Sequence, residues 1–224
     1  MKHITCSMIL LSGFATVASA DNQQSATLQG VAVNAALPVA KAEQNLASTT
    51  GGTVAGRNKQ SVTVRGAAIN AAGFGAKADQ SMSSVKGTVQ GSNQQNTNLS
   101  GAAINVAGMG AKASMNMSSV QGSVNGNNKQ TTVVAGAIIN AAALGAVGKV
   151  NLASVNGSVN GSNTQRAYVG GAIVNAAALG GRAEVNVASR STSVNGNAQT
   201  AIVGGSIVNM SALGITSKVN INSH

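Results

Sequence analysis

The chain has 224 residues and a formal net charge of +10, with fourteen Lys and Arg against four Asp and Glu, two His and one Cys. The four acids, Asp21, Glu43, Asp79 and Glu184, all stand more than twenty residues from one another. General acid–base pairs, carboxylate metal cages and Ser–His–Asp arrangements need groups that this chain scarcely has, so no enzyme, cofactor or metal site is expected.

Residues 1–20 read as a targeting segment. Lys2 and His3 give a short basic start, Met8 to Val17 an apolar stretch, and Ala18-Ser19-Ala20 a small-residue cleavage site. The apolar stretch is too short to span a bilayer. The exported chain is expected to begin at Asp21, losing Cys6 and His3 and keeping His224 as its single imidazole. It then carries no disulfide and no thiolate. Large side chains are scarce throughout, with two Phe, one Tyr and no Trp, and many of the apolar residues are Ala. Aromatics normally supply much of a core's buried area, so the interior must be thin, its layers drawn close by small residues.

From residue 21 to the end the chain is one repeated unit. Residues 61–95, 96–130 and 131–165 are copies of 35 residues, and 166–199 is a fourth copy with one deletion. Residues 21–60 hold a divergent first copy with one insertion, and 200–224 a truncated last one. A glycine recurs at Gly30, Gly66, Gly101, Gly136, Gly171 and Gly205. Four residues after each stands an asparagine: Asn34, Asn70, Asn105, Asn140, Asn175 and Asn209. A second asparagine row comprises Asn45, Asn116, Asn151, Asn186 and Asn220, with Ser81 replacing it once. Complete copies close on Gln60, Gln95, Gln130, Gln165 and Gln199.

Helical repeats of similar length exist, but each copy carries several glycines, each costing about 1 kcal/mol relative to Ala inside a helix. The second half of a copy, such as 150–165, alternates apolar with polar residues and then breaks at Asn160-Gly161. That is strand and turn chemistry. The expectation is an all-β chain with about two strands per repeat, Val133 to Ala142 and Lys149 to Val159, joined by a turn near Gly145. Copies stacked on copies give a β-solenoid or a serpentine cross-β stack. The first Asn row and the Gln row would then lie above one another as amide ladders, each side chain donating to one neighbour and accepting from the other. Asn160, beside Gly161, reads as a solvated turn former; Asn140, set amid Ile and Ala, reads as buried.

A signal segment, a Cys-free exported chain and Gly-, Asn-, Gln- and Ser-rich copies together resemble bacterial functional amyloid subunits of the curli and Fap kind. Asn22-Gln23-Gln24 and Asn93-Gln94-Gln95 are similar to the Asn-Gln-Gln element of Fap repeats, and the closure at Gly161, Asn163 and Gln165 is loosely curli-like. The resemblance implies a secreted subunit of a surface fibre or biofilm matrix whose partner is the chain itself, handled by secretion accessory proteins. The alternative is a monomeric solenoid that serves as an adhesin or surface binder, using its repeated face. Lys41, Lys77, Lys112 and Arg182 share one repeat position and form a candidate basic stripe for extracellular DNA or acidic polysaccharide. Without aromatic belts the exported chain is not expected to insert in a membrane. Pro38, Arg57 and Lys59, confined to the first copy, are expected to cap one end, since proline and charge protect strand edges.

Overall fold

The computed structural model describes residues 22–222 apart from 48, 50–53, 84, 86, 119, 121, 123, 156–158 and 190–195. The expected targeting segment 1–20, Asp21 and His224 lie outside the described residues. Every described helix or strand is a β-strand, and the strands come three to a rung. The first rung holds β1 (Asn22–Leu28), β2 (Val31–Ala35) and β3 (Glu43–Asn45). The second holds β4 (Asn58–Val64), β5 (Ala67–Ala71) and β6 (Asp79–Met82), and the third β7 (Asn93–Leu99), β8 (Ala102–Val106) and β9 (Ser114–Met117). The fourth holds β10 (Asn128–Val134), β11 (Ala137–Ala141) and β12 (Lys149–Leu152), and the fifth β13 (Asn163–Val169), β14 (Ala172–Ala176) and β15 (Ala183–Val187). The last holds β16 (Asn197–Val203), β17 (Ser206–Asn209) and β18 (Ser217–Ile221).

Corresponding strands stack into three parallel six-stranded sheets. Sheet 1 begins with β1 and ends with β16, sheet 2 runs from β2 to β17, and sheet 3 from β3 to β18. Register repeats the sequence alignment, so that Asn93, Asn128 and Asn163 lie in one line. One repeat makes one coil of a β-solenoid.

The rung has three strands where two were expected. The segment Val133 to Ala142 is broken at a corner, Ala135-Gly136, and strand structure begins earlier, at Asn128. The corner explains the recurrent glycine. A Cβ on Gly136 would lie 1.8 Å from the carbonyl oxygen of Gly101 in the rung below. Stacked backbones approach too closely there for any side chain. The other expected strand, Lys149 to Val159, is regular only to Leu152; Ala153 turns the chain at φ +47°, and beyond it Val155 and Val159 make single bridges.

Sheet 1 strands alternate sides, so that Asn93, Gln95, Thr97 and Leu99 face inward while Gln94, Asn96 and Asn98 face water. Their inner apolar ends meet Ala103, Ile138 and Ile173 of sheet 2 and Met82, Met117, Leu152 and Val187 of sheet 3 in one continuous core. A second cluster, including Val85, Val89, Val120 and Val124, fills the limb that follows sheet 3. The insertion and the deletion both fall in this limb. Thr49 pairs with a residue 36 further on and Val54 with one 35 further on; Leu152 pairs at 35 and Asn163 at 34. Length changes are absorbed outside the three sheets, and every ladder stays in line.

Candidate assembly surfaces

The first asparagine row sits on the inner side of sheet 2, at its C-terminal end. Asn140 is fully buried, accepts from Asn105 at 3.0 Å, and donates to Asn175 at 2.9 Å and to the Lys149 carbonyl at 3.1 Å. The pattern recurs: Asn70 donates to Asn105 and to the Asp79 carbonyl, and Asn175 to Asn209 and the Glu184 carbonyl. One amide hydrogen therefore ties rung to rung, while the other ties sheet 2 to sheet 3 within a rung. Asn34 opens the row by donating to Asn70, and Asn209 closes it by donating to the Lys218 carbonyl.

The glutamine row lies inside sheet 1 and runs the opposite way. Gln60 donates to Gln24, Gln95 to Gln60, Gln130 to Gln95, Gln165 to Gln130 and Gln199 to Gln165, at 2.8–3.2 Å. Gln130 and Gln165 also reach the carbonyls of Ser154 and Ser189, at the start of the limb that follows sheet 3. The row beginning at Asn45 is interrupted at Ser81 and continuous from Asn116 through Asn151 and Asn186 to Asn220.

A further ladder went unread in the sequence. Asn22, Asn58, Asn93, Asn128 and Asn163 each donate to the next, ending at Asn197, at 2.8–3.0 Å, and the four central members are almost wholly buried. Its signal was an asparagine two residues before every closing glutamine, the Gln24 of the first copy included.

The basic row is less free than its sequence suggests. Lys41 pairs with Glu43 at 3.3 Å and Lys77 with Asp79 at 4.0 Å. Glu43, Asp79 and Glu184 stand in one line of sheet 3, two positions on from the basic row. Glu184 is itself paired with Lys149 at 3.4 Å. Burial pushes the Glu184 carboxyl up, but the Asn186 hydrogen bond and the charges of Lys149 and Arg182 outweigh it and hold the group below its ordinary value. Val147 takes the basic position in the fourth rung, so Lys112 and Arg182 flank an apolar gap.

At the two ends, β1–β3 and β16–β18 each have a partner on one side only. Of the expected capping residues, Pro38 lies in the first rung, whereas Arg57 and Lys59 lie in the second. Pro38 sits in the corner between β2 and β3, where its carbonyl accepts from Gly75, and Lys59 lies in β4, already flanked by β1 and β7. Large apolar side chains are left open at both end rungs: Leu37 and Val39 at one, Leu213 and Ile215 at the other.

Among the described residues no three His, Cys, Asp or Glu side chains gather as a metal site, and no helix is long and apolar enough to cross a membrane. Comparison with protein-family models, with curated proteins and with solved structures finds no match.

Proposed function

We propose that the protein is a secreted structural subunit that polymerises head to tail into an extracellular fibre, in the manner of a functional amyloid. One observation carries the reading: the end strands of sheet 1 repeat the interior strands in length and register, and have a neighbour on one side only. Strands β1 and β16 are as long as the buried strands of sheet 1, with no proline and no bulge. Such edges are templates for the next chain unless something blocks them.

The ladders give the junction a direction. Asparagines of the first row and of the Asn22 row donate toward the C-terminal rung, whereas the glutamines donate toward the N-terminal one. Across a junction, Asn197 and Asn209 of one copy meet Asn22 and Asn34 of the next as donors. Gln24 of that next copy donates back to Gln199. Every row continues with its polarity intact, and head-to-head contacts would set donor against donor.

The corner glycines supply the test. A Cβ on Gly66 would meet the Gly30 oxygen at 1.8 Å, yet a Cβ on Gly30 meets nothing within 4 Å, its corner being the first among the described residues. In a fibre the Gly205 corner of the preceding copy takes that place. Exported wild-type protein is expected to form unbranched filaments with a spacing of about 4.7–4.8 Å along the axis. Gly30→Val is expected to stay folded and soluble but form none. A wild-type chain that remains monomeric at high concentration after seeding decides for the alternative, a monomeric surface-binding solenoid. A Gly30→Val chain that polymerises as fast as wild type refutes the head-to-tail junction.

A further inference from the structure

The outer face of sheet 2 is apolar but for Ser206 in the last rung, and nothing in the head-to-tail junction uses it. Its strands turn Ala or Asn and Ile inward and a second apolar set outward, in an alternating pattern of burial. The outward set forms three rows along the solenoid. The middle row is a ridge of Val33, Ile69, Ile104, Ile139, Val174 and Val208. On its N-terminal side runs a trough of Ala67, Ala102, Ala137 and Ala172, bordered by the bare glycine corner. The trough is a single methyl deep across the four central rungs. Ser206 is the one polar residue facing outward from these strands.

We infer that this face is a lateral interface, and that its occupant is the same face of a second copy, so that fibres are built of two solenoids side by side. The inference rests on the fibre reading for its setting and goes beyond it. The relief is self-complementary: turned about a two-fold axis parallel to the solenoid, the ridge of each copy enters the alanine trough of the other, as dry sheet faces interdigitate in steric zippers. Turning one solenoid end over end instead sets ridge against ridge. The favoured arrangement thus keeps both solenoids pointing the same way, as a polar fibre requires.

Extent argues for the fibre as the setting. Six strands at about 4.8 Å and five residues at about 3.3 Å give a flat face of about 500 Å² per copy. That falls short of the roughly 800 Å² per partner of a stable complex. Single chains therefore pair weakly, while filaments gain the same area again with every subunit added. A lipid surface is the poorer occupant, because two of the four cations beyond the adjoining corner, Lys41 and Lys77, already hold Glu43 and Asp79.

Mass per unit length of the filaments, from dark-field electron microscopy, tests the pairing. A rung advances about 4.8 Å, so one solenoid places one chain in about 29 Å of fibre. Wild-type fibres are expected to hold two chains in that length. The Ile104→Asp/Ile139→Asp double variant should hold one, with the axial spacing unchanged. Ala102→Leu/Ala137→Leu fills the trough without adding charge and should also give one, which covers the case in which the charged variant fails to fold. Wild-type fibres of one chain per length, or fibres unaltered by both variants, overturn the inference and leave the head-to-tail reading standing. If no fibres form, sedimentation at high concentration decides: weak pairing lost in the variants supports the interface, and its absence overturns it. Binding to phosphatidylcholine vesicles that the variants abolish, without pairing of chains, also overturns it in favour of lipid.

Discussion

Two asparagines of the fourth copy show how the stack changes the meaning of a residue. Asn140 is wholly buried and spends both amide hydrogens and its oxygen. Asn160 is exposed and reaches Asn125 at 3.3 Å in solvent. Asn140→Asp replaces the donor with a carboxylate facing the Asn175 oxygen and the Lys149 carbonyl. A buried group left unpaired costs about 1–3 kcal/mol and a charged one more, so a loss of about 3 kcal/mol or more is expected in a denaturant titration. Asn160→Asp should change stability by no more than about 0.5 kcal/mol, since Asp also suits a solvated turn before Gly161. Equal losses in the two would mean that the row faces water. Gln80 is the opposite case, fully buried with its Oε1 unpartnered, at a position where later rungs carry Met115, Val150 and Val185. Gln80→Met keeps the length of the side chain and removes the orphan together with the 3.3 Å bond from its Nε2 to the Ala68 carbonyl, so stability in a denaturant titration should rise by about 1 kcal/mol. A fall would show that the bond to Ala68 outweighs the unpartnered oxygen. Asn140 was legible as buried because its sequence neighbours are Ile and Ala. Asn128 was not, because Gly126, Asn127 and Lys129 around it read as turn and surface. Its burial is made tolerable by Asn93 and Asn163 above and below, which no single copy displays.

The element scale is governed by corners. Gly136→Ala must push a methyl into the Gly101 carbonyl, and backbone atoms of two stacked rungs cannot yield locally. A loss of more than about 3 kcal/mol is expected, in the range reserved for core disruption. Gly30→Ala, the same substitution with open space beside it, should be near neutral in the soluble chain; a comparable loss at Gly30 would remove stacking as the cause. The glycine row was visible in the sequence, but not its consequence. A two-strand rung was expected because Val133 to Ala142 reads as one extended segment running through Ala135-Gly136, and a glycine inside a strand pattern reads equally as a bulge or a bend. Sheet 3 adds an electrostatic effect. The Glu184 carboxyl titrates below its ordinary value in the fold, so it favours the fold while ionised in both states. That contribution is present above about pH 4.3, the ordinary glutamate value, and is lost as pH falls through the lower folded value. Glu184→Gln should therefore lose less stability than wild type between pH 7 and pH 3, as read from urea midpoints. Identical slopes would mean that Lys149 and Asn186 leave the group unperturbed.

For the whole molecule, what could be read was the stack itself: near-equal spacing of Gly and Asn in six copies, and of the closing Gln in five, demanded that copies lie in register, one above the next. The apolar outer face of sheet 2 was hidden, because a run such as Ala137-Ile138-Ile139-Asn140-Ala141 is apolar on both sides and alternation assigns neither to water. The ends follow from translation. A junction made of one copy's last rung and another's first is heterologous and never closes, so each chain has two different faces and growth is unlimited unless one is spoiled. Gly30→Val spoils the first face. Val219→Pro spoils the last: Asn222 donates inward to the Val187 carbonyl, and alternate residues of a strand donate to the same side, so the Val219 N–H points away from β15. Its loss removes a donor only from the open edge, a place where proline is tolerated. Neither variant should polymerise alone. Mixed in equal amounts, they have one intact face each, the last rung of Gly30→Val and the first rung of Val219→Pro. These two faces match, and the junction they form offers no further match on either side. Light scattering should then show particles of twice the mass of either variant by itself and no filaments. Mixtures that stay at the mass of the separate variants would mean that the end rungs do not recognise each other. Mixtures that grow into filaments would mean that subunits join through some other surface.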